Sequence, residues 1–507
     1  MCYTPNLAKV TLSVSPKVPL GEGCDGILHG IIWRPGEPTR PRRLAKHRLL
    51  SMKQLKKYID ANRQRFIDEL VEYLRFPTVS AQSAHKKDMT DCARWLANHV
   101  RSLGLKSRVH RTGGHPIVTI ATPRKRNSTK PHFLVYGHYD VQPPEPLELW
   151  DSPPFEPTLR GRNLFARGAS DNKGQHFAHL KAVEAYLKTG TELPCDLTFV
   201  VEGEEEVGGE ALVGFLKQNK RGLQCDGVVV SDTGMPDLKH PALTYALRGV
   251  AALEVKLTGP DRDLHSGIYG GTVENPAMAL GKLLGRMINK NGSINVPGFY
   301  DDVVKLTAYE RRQLARVPYS EAKYKKLLGV KLLFGEKGFT PNEQRGARPT
   351  FEINGLTSGY QGEGSKTIVP SFASAKITMR LVPNQNPKKI LRLVARHLKA
   401  LSPPTMRIEV ELGHAADPYI VSPTGPLAKA ALESLKTAFG HEPVLLREGG
   451  SIPIVEHFAR ILKVDTYLLG LALPDDNLHS PNEKMDLEAF TRGIWMSANL
   501  WTNLAEA

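Results

Sequence analysis

Short apolar runs alternating with amphipathic ones dominate the chain from about residue 52 to residue 240. Leu55, Ile59, Phe66, Leu70 and Leu74 recur near helical spacing, so Lys53 to Leu74 reads as an amphipathic helix. Asp91 to Leu103, His176 to Leu187 and Glu210 to Gln218 read as helices. Between them, Ile117 to Ala121, His132 to Tyr136, Leu197 to Glu202 and Gly227 to Ser231 are compact and apolar, as buried strands are. Buried strands alternating with helices predict an α/β layer around a mostly parallel central sheet.

The pattern then changes. Ala251 to Leu257, Ala373 to Leu381 and Arg407 to Leu412 read as strands, and Ala277 to Ile288 and Pro387 to Leu401 as helices. This predicts an α+β unit inserted at 244–414. The first style resumes with a helix at Pro426 to Ala438, a strand at Lys463 to Leu469 and a helix at Leu487 to Leu504. The α/β unit is therefore expected from 52–243 and 415–507. Residues 1–51 differ from both: they hold six prolines, eight Lys or Arg against three Asp or Glu, and little periodicity. They are expected to be a poorly ordered basic extension.

Composition narrows the class. At 507 residues, 41% hydrophobic and 24% charged, the chain has the make-up of a globular protein of more than one domain. No apolar run approaches the ~18 residues of a membrane-spanning helix, and the N-terminus lacks the pattern of a secretory signal. A cytoplasmic protein without a membrane partner is expected. Cys2, Cys24, Cys92, Cys195 and Cys225 are odd in number and widely spaced, without a CxxC pair. Neither a disulfide framework nor a zinc ribbon follows. The net charge of +16 is dispersed rather than gathered in a patch, and no nucleic-acid partner is expected.

Chemistry concentrates where the apolar runs end. His138 and Asp140 follow Val135-Tyr136-Gly137, and Asp171 lies between Gly168 and Gly174. Glu204, Glu205 and Glu206 follow Val200-Val201-Glu202-Gly203, Asp232 follows Val229-Val230-Ser231, and His479 lies in Asp476-Asn477-Leu478-His479-Ser480-Pro481-Asn482-Glu483. Imidazole and carboxylate suit zinc or manganese. Two ions about 3.5–4 Å apart need a bridging carboxylate and separate ligands for each, with one more carboxylate to handle a proton. The clusters supply that count. Singly, Asp171 and Asp232 also read as helix N-caps, and the run 204–206 as a solvated turn.

Together these segments resemble the dinuclear zinc exopeptidases, which include carnosinase-like cytosolic dipeptidases, desuccinylases, aminoacylases and carboxypeptidase G. The likeness covers nearly all of residues 55–505 and is closest to the carnosinase-like branch. It implies a zinc-exopeptidase-type catalytic domain with an inserted lid and dimerisation domain, and two metal ions per subunit, zinc or manganese. His138 and Asp232 would hold one ion, Glu206 and His479 the other, and Asp171 would bridge them. Glu205 would be the general base, Asp140 would orient His138, and a cis peptide would follow Asp171. In the insert, His265 of Asp263-Leu264-His265-Ser266-Gly267 would reach the neighbouring subunit's site and stabilise the oxyanion, making the enzyme a homodimer. Arg380 would grip the substrate's carboxylate, and Gly450 and Ser451 would line a substrate loop. His176, His179, His414 and His457 are read as structural or surface residues.

The expected activity is hydrolysis of dipeptides or short peptides. The competing reading is an N-acyl amino acid deacylase, desuccinylase or carboxypeptidase on the same site. A non-catalytic scaffold would lack a ligand or Glu205, and none is missing.

Overall fold

The computed structural model describes residues 40–507, apart from 126 and 451. Residues 51–507 form one compact unit. The boundary expected at 51/52 falls within the helix Arg40–Ala61, and residues 1–39 of the expected extension lie outside the described residues.

Nine strands make the larger sheet. Its centre runs Asp196–Glu202, His132–His138, Gly227–Val230, Thr466–Leu468, all parallel. Antiparallel pairing flanks it on both sides, at Ile117–Ala121 with Lys106–His110 and at Ala242–Leu247 with Tyr419–Ile420. Every residue of His132–His138 is buried, which is why the strand reads as a continuous apolar run rather than an alternating one. It extends two residues beyond the expected end at Tyr136, and those two residues carry Gly137 and His138. Helices Gly174–Thr189 and Leu487–Ala505 pack together, and Phe177, Val183, Phe490 and Trp501 join Val135, Val200 and Val229 in one core.

A second core is separate. Leu253, Val255, Ile377 and Met379 from an antiparallel sheet meet Leu283, Val394 and Leu398 from helices Pro276–Gly285 and Pro387–Leu401. That sheet runs Glu352–Ser358, Phe372–Leu381, Gly249–Thr258, Arg407–Ala416. The expected α/β layer and inserted α+β unit are thus both present. Among the described residues no helix is long and apolar enough to cross a membrane.

Several elements differ from expectation: the helix expected at Lys53 to Leu74 is two, Arg40–Ala61 and Arg63–Leu74. Pro453–Leu462, where no element is expected, is a helix. The following strand is confined to Thr466–Leu468, because Lys463 takes a left-handed backbone (φ 65°) that ends the helix.

Gly137 shows how tightly the site's support is packed. A β-carbon there would lie 2.5 Å from Cβ of His176. His176 cannot retreat easily: its Nδ1 lies 3.0 Å from the Asn172 carbonyl and its Nε2 3.2 Å from the Tyr73 hydroxyl. Gly137→Ala is therefore expected to lower stability by about 1–3 kcal/mol. A reduced urea midpoint with an unchanged m-value would register this, and an unchanged midpoint would contradict it.

Candidate metal centre

The central parallel strands deliver their C-terminal ends to one place. His138 closes its strand and is paired in register with Glu202, the last residue of the neighbouring strand. Asp232 stands two residues beyond Gly227–Val230 on the other side. This is the edge of an α/β sheet where ligands bind, outside the carboxyl ends of the strands. Asp171 lies in the turn before helix Gly174–Thr189, and the Asp171–Asn172 peptide is cis, as the resemblance implied. Glu205 and Glu206 open the short turn Glu205–Val207. His479 sits in a loop between Thr466–Leu468 and Lys484–Asp486 with a left-handed backbone, φ 61°.

Two triads result, His138 with Asp171 and Asp232, and Asp171 with Glu206 and His479; within each, one ligand atom per residue lies within 4.8 Å of the others. Asp171 belongs to both. Its Oδ1 is 3.2 Å from His138 Nε2 and its Oδ2 is 2.9 Å from His479 Nε2, so each oxygen faces one imidazole. Asp232 Oδ1 lies 3.5 Å from His138 Nε2, and Glu206 Oε2 lies 3.5 Å from His479 Nε2. The halves differ in exposure: the side chain of His138 is fully buried, whereas that of His479 is 55% exposed.

The residues fit divalent cations. His138 Nε2 and Glu206 Oε1 are buried polar atoms without a hydrogen-bond partner. Buried groups of this kind are normally satisfied, and a metal ion would satisfy both. The protein alone also gathers too much negative charge. Burial, joined by the Asp232, Glu206 and Asp171 carboxylates and opposed by His138, drives Glu205 well above the usual carboxylate range. Burial and then Asp171 push Glu206 to about 8. Several carboxylates crowded in a dry site need cations to stay ionised together.

Neighbouring groups orient the set. Nδ1 of His138 lies 3.1 Å from the main-chain oxygen of Asp140 and 3.4 Å from its carboxylate, which leaves Nε2 with its lone pair toward the triad. The Asp140 carboxylate also accepts the backbone N–H groups of Glu205 and Glu206, at 3.3 and 3.1 Å. It thus fixes the acidic turn as well as the imidazole, a second task beyond the one expected. Two side-chain amides that sequence reasoning missed act similarly. Gln142 Nε2 donates to Glu206 Oε2 at 2.8 Å, and Asn172 Nδ2 donates to Asp232 Oδ1 at 2.7 Å. Each follows a ligand-bearing motif by one or two residues, which was the available signal. Glu202 accepts from the Tyr136 hydroxyl at 2.8 Å, and burial, aided by Asp140, raises its pKa to about 8.

The second set stands outside the triads. His265 is exposed on the inserted unit, in the pair Leu264–His265 against Ile368–Val369. Its Nδ1 accepts the Gly267 N–H at 3.0 Å, so the neutral ring carries its proton on Nε2 and offers it outward. Arg380 lies near the end of strand Phe372–Leu381, half-buried. Arg248, unforeseen from the sequence, is close to it: burial first, and then the Arg380 charge, lower the Arg248 guanidinium to about 10. Arg248 Nε donates to the Gly449 carbonyl at 3.0 Å, which links this cationic cluster to the turn containing exposed Gly450. Ser451 lies outside the described residues.

Comparison with known proteins gives the family. The Cys-Gly metallodipeptidase dug1 of Schizosaccharomyces pombe is 31% identical over 460 residues, which span 88% of this chain and 96% of that protein. The crystal structure of human carnosine dipeptidase 1 superposes with a TM-score of 0.75 at 28% identity, over 90% of this chain and 99% of that one. The M20 family metallo-carboxypeptidase Sso-CP2 from Sulfolobus solfataricus gives 0.76 at 31% identity, over 87% and 99%. Residues 134–503 match peptidase family M20/M25/M40, so the chain belongs to that family and is a metal-dependent peptidase of its dipeptidase branch.

Proposed function

We propose that this enzyme hydrolyses the peptide bond of unblocked dipeptides and short peptides at a site built for two divalent ions, zinc or manganese. The observation that carries this reading is Asp171, shared between two triads, with Glu205 beside them and in neither. His138 and Asp232 would hold one ion, Glu206 and His479 the other. Bound there, the ions would polarise the scissile carbonyl and the attacking water. Glu205 accepts a proton from that water as its oxygen attacks the carbonyl carbon. The same carboxyl group then gives the proton to the departing amine nitrogen as the carbon–nitrogen bond breaks. Arg380 would bind the substrate's free carboxylate, a task suited to a guanidinium fork, and Gly450 and Ser451 would line a substrate loop.

We further propose a homodimer in which the inserted unit, 244–414, acts as lid and dimerisation domain between the catalytic segments 52–243 and 415–507. His265 would then serve the partner's site. Exposed apolar side chains on the insert, among them Ile268, Met278 and Leu356, support an interface there. A cytoplasmic location suits the buried free thiols of Cys92, Cys195 and Cys225.

The similarity to a metallo-carboxypeptidase keeps one rival open, release of a C-terminal residue from a longer or N-acylated chain. A panel of free dipeptides, N-acetyl and N-succinyl amino acids and longer peptides, tested with zinc and with manganese, separates the two. Free dipeptides are expected to show a kcat/KM at least tenfold above their acylated counterparts, since a site that pairs a charged amine leaves that pairing unmade when the amine is blocked. Preference for the acylated series would move the enzyme to the carboxypeptidase or deacylase reading.

A further inference from the structure

The loop that presents His479 also carries a buried carboxylate that belongs to neither triad. Glu483 is fully buried, and four donors converge on it. Its Oε1 accepts the backbone N–H groups of Ser170 and Asp171, each at 3.0 Å. Its Oε2 accepts the Gly168 N–H at 2.9 Å and the Arg167 guanidinium at 2.8 Å. Arg167 is itself buried and is held from behind by the Pro143 carbonyl at 3.3 Å. One carboxylate therefore defines the path of the chain from Gly168 to Asp171, where Gly168 turns through a left-handed backbone, φ 83°.

Four residues earlier, His479 Nε2 lies 2.9 Å from Asp171 Oδ2. The segment 479–483 thus grips Asp171 twice: the His479 imidazole meets the Asp171 carboxylate, and the Glu483 carboxylate accepts the Asp171 backbone N–H. A displacement of the 168–171 turn would carry the shared carboxylate away from both imidazoles together. We infer that Glu483 is a positioning residue, which holds Asp171 where its two oxygens serve both halves of the metal centre, so that the two halves form together. This rests on the ligand assignment proposed above.

Metal titration of the full-length apo protein tests it, with zinc followed by calorimetry and cobalt by its visible absorption, beside the apo melting temperature. Wild type is expected to bind two ions. His479→Ala should lose one and keep the other. Glu483→Gln preserves size but turns one acceptor into a donor facing N–H groups. It is expected to weaken both ions by roughly tenfold or more, the usual scale for groups that orient metal ligands. A folded Glu483→Gln that binds two ions with wild-type affinity overturns the inference, whatever its melting temperature, because a purely structural role predicts that result. Should Glu483→Gln not accumulate in folded form, Arg167→Lys takes its place: weakening of both ions supports the inference and unchanged affinities overturn it. Wild type binding fewer than two ions would overturn the ligand assignment, a failure distinguishable from that of Glu483 alone.

Discussion

Glu205→Gln is expected to reduce kcat by about 10²–10⁴-fold while two ions remain bound and KM changes little. The geometry separates Glu205 from its neighbour. Glu206 completes a triad with Asp171 and His479, while Glu205 belongs to none. Both backbones are tied to the Asp140 carboxylate, so the turn keeps its shape when one side chain changes. Glutamine matches the size of glutamate but has no carboxylate to take up a proton. Glu206→Gln should behave differently, losing metal as well as rate. Steady-state kinetics on a free dipeptide with metal content measured on the same samples checks both statements. A Glu205→Gln enzyme within tenfold of wild type would remove Glu205 from the role of base. Loss of an ion in Glu205→Gln but not in Glu206→Gln would exchange the two roles.

The chemistry-bearing residues were legible because all but His479 lie at or just past the end of a buried strand or in a glycine-flanked turn, where a polar side chain breaks an apolar run, and His479 lies in a short polar loop rich in Asp and Asn. His138, Asp171, Asp232, Glu206 and His479 stand out in this way, and the structure gathers all five. Apart from Asp140, much of what holds them was not legible, because it depends on partners far away in sequence. Glu483 contacts Asp171 across 312 positions. Helix Gly174–Thr189 shows the same limit: it is buried almost all round, so it has no polar face to read. Its polar side chains are satisfied one by one, as with His179 between the hydroxyls of Ser497 and Ser231, both at 2.8 Å. Reading His176 and His179 as structural agrees with these contacts. Ile117–Ala121 and Ala242–Leu247, the antiparallel neighbours of the parallel centre, also escape a local pattern, since they are apolar and largely buried like the parallel strands beside them.

His265→Ala is expected to lower kcat by about 10²–10³-fold, the cost of removing one oxyanion donor. Stability and metal content should stay at wild-type values, since the ring is exposed and takes part in one local hydrogen bond, from Gly267. That bond is what prepares the residue: with Nδ1 occupied as an acceptor, Nε2–H is the donor the developing oxyanion needs. If the donor comes from the partner subunit, two inactive variants should rescue one another. In a mixed dimer of His265→Ala with Glu205→Gln, one site combines an intact Glu205 with an intact partner His265, and the other has neither. Equal mixing after subunit exchange would then restore about a quarter of the wild-type rate, given random pairing in a two-fold dimer. No rescue, with mixed dimers verified by mass, would mean that His265 serves its own subunit or no site at all. A monomeric enzyme of full activity would exclude the partner's contribution directly.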